Sequence, residues 1–128
     1  MTVTQELHSI SDVAAATGLS THTLRYYESA GLMLDPVDRA SSTHRRYSDG
    51  DIRWIEFLTK LRSTAMPIAR VREYVELCRR GEDTIPERLE LLMLHRMAVA
   101  EQMDEMTRSL AAIDHKISHY QGRNPTEL

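Results

Sequence analysis

The chain has 128 residues, of which 41% are hydrophobic but only one is Phe and one Trp, which excludes a large aromatic core and suits helices packed in pairs. Charged residues at 27%, a mean hydropathy of −0.42 and the lack of any apolar run near the ~18 residues needed to cross a bilayer exclude a membrane-spanning chain. A net charge of −3 excludes a uniformly basic surface, so any contact with a polyanion has to be local.

The polar stretch Met1–His8 has no Lys or Arg and does not read as a signal peptide. The single Cys78 excludes an internal disulfide, and both features suit a cytoplasmic protein. Ser11–Thr17 predicts a short helix, capped by Ser11, carried by Val13 and the alanines, and ended by Gly18 in the left-handed conformation. Leu19 falls in a tight turn. Ser20 then caps a second helix from Thr21 to about Ala30, closed by Gly31. Two short helices joined by Gly-Leu-Ser are the sequence image of a helix-turn-helix. Ala14 suits the crossing of the two helices, and Leu24 points back to the core.

Leu32 to Tyr47 contains Pro36, serines and Thr43 but no helical period, and predicts a loop and a small β-hairpin with Arg45-Arg46-Tyr47 on its return arm. From Arg39 to Tyr47 there are three arginines, one histidine and no acid. Ser48 with Asp51 forms an acidic capping box that opens a third helix. Its apolar face holds Ile52, Ile55, Leu58 and Leu61, with Trp54 and Phe57 beside them, and it ends near Ser63. Pro67 suits the first turn of a fourth helix, with Ile68, Val71, Val75 and Cys78 inward and Gly81 as the stop.

Thr84 with Glu87 reads as a further capping box, and no breaker follows until Gly122. Ile85, Leu89, Leu92, Arg96, Val99, Met103, Met106, Leu110, Ile113, Ile117 and Tyr120 alternate steps of four and three, and ten of the eleven are apolar. This is a coiled-coil pattern. At ~1.5 Å per residue the helix is roughly 55 Å long, too long to bury its seam on a head of about eighty residues, so the expected partner is a second copy. Leu89, Leu92, Val99, Met103, Met106, Leu110, Ile113 and Ile117 are the dimerisation candidates, and Arg96 is a register-setting interruption. Leu91, Met93, Leu94 and Met97 widen the apolar face near the start, where a head can dock. Gly122 and Pro125 mark residues 121–128 as a tail.

The second helix is the candidate reader of double-stranded DNA. The first residues of such a helix reach base edges in the major groove, and here they are Ser20, Thr21, His22, Thr23, Arg25 and Tyr26. Arg can bond guanine with two donors, while Ser, Thr and Tyr hydroxyls can bond phosphates. Arg45, Arg46 and Tyr47 are candidate wing contacts. The plainer alternative is an ordinary polar helix and a solvated basic turn.

Taken together, Leu24-Arg25-Tyr26-Tyr27-Glu28, Gly31-Leu32, Arg46-Tyr47, Asp51-Ile52 and Trp54-Ile55 resemble the MerR family of bacterial transcription regulators, over roughly Ser9 to Tyr120. The resemblance implies a mainly α protein: a winged helix-turn-helix head, a two-helix linker (together residues 9–80) and a long C-terminal coiled-coil helix (84–120) that pairs antiparallel with a partner subunit. It implies a homodimer on a pseudo-palindromic promoter operator whose polymerase-recognition elements are spaced too far apart. Bending and untwisting the spacer would realign them, so RNA polymerase is engaged indirectly, through promoter DNA, by indirect readout. By the same resemblance Arg25, Tyr26, Tyr27 and Arg45 are the leading DNA contacts.

The departures from the family are equally specific. Metal-sensing members carry cysteines near the start of the long helix and beyond its end, where this chain has Thr84 and no cysteine after Cys78. No metal or cofactor is therefore expected. The words around Trp54-Ile55-Glu56-Phe57 and Thr84-Ile85-Pro86-Glu87-Arg88 look most like the aldehyde- and thiol-stress branch, but Lys60 stands where that branch keeps a reactive cysteine. Cys78 reads as a small buried hydrophobe, the alternative being a thiol made reactive by the neighbouring Arg79 and Arg80, and His115 with His119 as a solvent-facing pair without a third ligand. The alternative function is a coiled-coil adaptor whose head binds protein. No phosphate-binding glycine loop or nucleophile–base pairing supports an enzyme.

Overall fold

The computed structural model describes residues 7–35, 38–40 and 44–122. In chain order the elements are β1 (Leu7–His8), α1 (Ile10–Thr17), α2 (Thr21–Ser29), β2 (Asp38–Ala40), β3 (His44–Ser48), α3 (Asp49–Ser63), α4 (Ile68–Arg79), a 3-10 turn at Glu82–Thr84, and α5 (Ile85–Gln121). Pro36, Thr43 and the part of the expected tail from 123 onward lie outside the described residues. The protein is mainly α, with a winged helix-turn-helix, two following helices and a long C-terminal helix, as the sequence predicts. It divides into two compact units, Met1–Leu89 and Glu90–Leu128.

Local chemistry sets most boundaries of the first unit. α1 opens one residue earlier than predicted because Ser9, not Ser11, is its cap. Ser9 Oγ accepts from Asp12 N at 3.1 Å, and the Asp12 carboxylate accepts from Ser9 N. Gly18 ends α1 at φ 75°. Ser48 and Asp51 form the predicted box at the start of α3.

α2 and α3 end in the same way. At α2, Leu32 N donates to Tyr27 O and Gly31 N to Glu28 O, with Gly31 at φ 74°. This is the Schellman pattern, and it favours glycine because the left-handed region is strained for other residues. At α3, Met66 N donates to Leu61 O and Ala65 N to Arg62 O, and an alanine occupies the glycine position at φ 68°.

The sheet has the order β1-β3-β2. β2 pairs antiparallel with β3 (Asp38↔Arg46, Arg39↔Arg45, Ala40↔His44), forming the predicted hairpin. β1 covers the other edge of β3 (Leu7↔Ser48, His8↔Tyr47), a strand the sequence did not announce. The core gathers Val13 from α1, Leu24 and Tyr27 from α2, Leu32, Tyr47, Ile55, Leu58 and Leu61 from α3 and its approach, Met66, and Val71 and Val75 from α4. Full burial of each large apolar side chain contributes about 1.5–3 kcal/mol. Trp54 stacks on Tyr74 at 5.9 Å, and half-exposed Phe57 lies 5.7 Å from the same ring, sealing α3 to α4.

Thr84 does not cap α5 as predicted. It is buried, and its hydroxyl lies 2.6 Å from Leu77 O and 2.9 Å from Gly81 O, so it closes the end of α4 instead. Within the second unit α5 continues without a break, and no residue along the whole helix is buried. Met103, Met106, Leu110, Ile113 and Ile117 all lie largely exposed.

Candidate nucleic-acid interface

The turn between α1 and α2 is fixed by short-range hydrogen bonds. Thr17 Oγ1 donates to Val13 O at 2.8 Å and accepts from Leu19 N at 3.3 Å. Ser20 Oγ accepts from Thr23 N at 3.0 Å, the predicted N-cap, and its hydroxyl bonds Thr23 Oγ1 at 3.0 Å. Ser20 and Thr23 are therefore engaged in holding the first turn of α2 as well as lying at its exposed end. Leu24 and Tyr27, three residues apart, anchor α2 to the core, which turns His22, Arg25, Tyr26 and Ser29 outward at helical spacing. Thr21 is half-buried beside them.

Two expected contacts are corrected here. Tyr27 is only 5% exposed and its hydroxyl lies 3.3 Å from Thr59 Oγ1, so it packs α2 onto α3. Tyr47 is 1% exposed, because the end of β3 runs beneath α1 and α3. Neither side chain is presented for DNA. Tyr26 is the outward member of its pair at 44% exposure. Ser29, which sequence reasoning passed over, shares the outward face one turn beyond Arg25. The 22-25-26-29 spacing was the available signal. Its hydroxyl donates to Tyr26 O at 3.2 Å. Arg45 and Arg46 lie on β3, in the stretch that pairs with β2 across the hairpin.

The root of the hairpin is held to the helical core. Trp54 Nε1 donates to Leu32 O at 2.7 Å, just beyond the end of α2. His8 Nε2 lies 2.8 Å from Asp49 Oδ1 and ties the edge strand to the first turn of α3.

The model of the MerR HTH family regulatory protein matches residues 8–78, more than half of the chain. The chain belongs to the MerR family. A functionally uncharacterised HTH-type transcriptional regulator of Haemophilus influenzae is 33% identical over 114 residues, covering 89% of this chain and 84% of that protein. The HTH-type regulator AdhR of Bacillus subtilis is 39% identical over 93 residues, covering 73% and 66%. Among solved structures, HiNmlR, a MerR family regulator lacking the sensor domain and bound to promoter DNA, superposes with a TM-score of 0.84 at 32% identity, covering 91% of this chain and 87% of that one. A MerR family regulator from Listeria monocytogenes gives a TM-score of 0.83 at 34% identity, covering 89% and 86%.

This MerR-type chain is thus a DNA-binding transcription regulator and not an enzyme. The protein-binding adaptor is not favoured, since a likeness over nine-tenths of the chain leads to a protein on promoter DNA. No helix among the described residues is long and apolar enough to cross a membrane.

Proposed function

We propose that this regulator acts in the cytoplasm as a homodimer on a pseudo-palindromic promoter, with α2 in the major groove and the β2–β3 hairpin alongside it. His22, Arg25 and Tyr26 are the outward contacts of α2. Ser20, Thr21 and Thr23 act at its first turn, and Arg45 and Arg46 act from the wing. The observation that carries this reading is the outward face of α2, which holds one cation and polar groups at helical spacing while the opposite face is locked by Leu24 and Tyr27. Arg25 bonds a base edge or a phosphate, and the wing arginines add phosphate contacts.

The head at 9–80 and the helix at 84–120 are separate working parts. α5 has an apolar seam interrupted only at Arg96 and no buried residue, and a helix in water draws most of its stability from packing an apolar face. A second copy supplies that packing through Leu89, Leu92, Val99, Met103, Met106, Leu110, Ile113 and Ile117. Two heads so joined span half-sites one helical turn, about 34 Å, apart. The dimer bends and untwists the DNA between them, and RNA polymerase responds to the reshaped promoter rather than to the protein.

The test is fluorescence anisotropy with a promoter fragment found by footprinting upstream of the regulator's own gene. Arg25→Ala should lower operator affinity by roughly five- to 150-fold, the ~1–3 kcal/mol of a good Arg–base contact. Wild type should weaken steeply with added salt. Arg25→Ala binding operator as tightly as wild type would remove Arg25 from the interface.

A further inference from the structure

Three carbonyls just beyond α2, those of Gly31, Met33 and Leu34, accept from one distant residue. Arg79, in the last turn of α4, reaches the loop that follows α2. Its Nη2 donates to Gly31 O at 2.9 Å and to Met33 O, and its Nε donates to Leu34 O at 3.3 Å. Its Nη1 lies 3.7 Å from Glu76 Oε2, which steers the fork from its own helix. With Trp54 Nε1 on Leu32 O, every carbonyl from Gly31 to Leu34 accepts from a side chain of α3 or α4. The carbonyls at the end of a helix carry the negative pole of its dipole, so a guanidinium placed there is favoured. The Arg donors form a rigid planar fork that a Lys cannot reproduce.

The same arrangement repeats one step further along the chain. Arg88, in α5, donates from Nε to Thr84 Oγ1 at 2.9 Å and from Nη2 to Gly81 O, closing the end of α4 with Thr84. Arg79 hands the end of α2 to α4, and Arg88 hands the end of α4 to the start of α5. All of these groups lie within the first compact unit.

We infer that Arg79 is a positioning residue for DNA binding: it touches no DNA, and it fixes the exit of α2 and the root of the wing on α4 so that both reach one duplex at a set separation. This rests on α2 and the hairpin being the DNA-reading elements. The link is polar and partly exposed, the Arg79 side chain keeping 37% of its accessibility. The apolar core beneath it does not depend on it. Loss of Arg79 therefore loosens the Gly31–Leu34 loop before it unfolds the head.

The experiment compares Arg79→Met, Arg79→Lys and Arg80→Met, each alone and with Ala65→Gly, which relieves backbone strain elsewhere. Trp54 is the only tryptophan in the chain and bonds the loop in question, so it reports loop order without any DNA present. At a temperature where every variant is fully folded by circular dichroism, Arg79→Met should make Trp54 emission easier to quench with acrylamide. It should lower operator affinity about tenfold while changing affinity for random DNA much less. Arg79→Lys should fall between the two. Arg80→Met removes the same charge from the same helix end and should leave both readouts at wild type.

Equal losses for Arg79→Met and Arg80→Met would show a charge effect and overturn the inference. So would unchanged Trp54 quenching, or restoration of affinity by Ala65→Gly, which would reduce Arg79 to a stability role. Wild type failing to prefer operator would instead defeat the DNA-reading assignment, while Trp54 quenching would still decide whether Arg79 orders the loop.

Discussion

Replacing Tyr27 with Phe separates two adjacent tyrosines with different duties. The ring is 5% exposed and is kept in the variant, so packing is conserved and only the 3.3 Å contact from the hydroxyl to Thr59 Oγ1 is lost. Thr59 Oγ1 already donates to Ile55 O at 2.8 Å. Tyr27 is therefore the donor in its pair, and the substitution leaves a spare lone pair rather than an orphaned donor. An intramolecular hydrogen bond is worth about 1 kcal/mol net, and the length and the already engaged partner place this one near the low end, at roughly 0.5–1 kcal/mol. For a domain of this size that is a fall in Tm of about 2–4 °C. Thermal unfolding followed by circular dichroism measures it, and anisotropy with labelled operator should give wild-type affinity wherever the variant is fully folded. Tyr26→Phe should do the reverse: an unchanged Tm, and an affinity loss of about fivefold from one lost hydrogen bond. Tyr27→Phe weakening operator binding several-fold with no change in Tm would refute the assignment of Tyr27 to the core.

Ala65→Gly should stabilise the protein by about 1 kcal/mol, because Ala65 sits at φ 68° in a turn that Gly31 forms without strain; a lower Tm on denaturation would contradict this. Tyr74 should govern alkaline stability. Its hydroxyl is pushed up to about 12 by burial first, then by its hydrogen bond to Cys78 and the charge of that group, with Arg88 opposing. An unfolded tyrosine ionises near 10, so the folded state holds this proton more tightly. The contribution is complete below about pH 10 and is lost as pH rises towards 12. Urea unfolding across that window should show a fall that Tyr74→Phe reduces. Met106→Asp, placing a charge on a seam residue that is now 71% exposed, should leave the head folded and shift sedimentation equilibrium towards monomer. An unchanged association constant would remove Met106 from the seam.

The elements with short-range signals were legible in the sequence. Ser20, Ser48 with Asp51, Gly18 and Gly31 mark ends that their own side chains or φ angles create, and α5 follows from an apolar seam. Ser9 was passed over for Ser11, although only Ser9 has an acid three residues on, and a reciprocal box needs that acid. Thr84 has the spacing of a cap, but its hydroxyl turns back to carbonyls of α4, which neighbouring residues alone do not indicate. Tyr26 and Tyr27 differ by about 100° around the helix, and the Leu24–Tyr27 spacing held the clue to which faces inward. β1 is two residues long, too short for a period, and depends on pairing with a distant strand. The same reason hides Arg79, whose acceptors lie 45 to 48 residues away in the chain.

In the proposed function, two identical heads, joined by their long helices, hold successive turns of one duplex. Hydroxyl-radical footprinting of the promoter complex, with sedimentation of the same complex, tests it most directly. Two chains per site are expected, with two protected patches related by two-fold symmetry and about one helical turn apart. A single patch carrying one chain would contradict it.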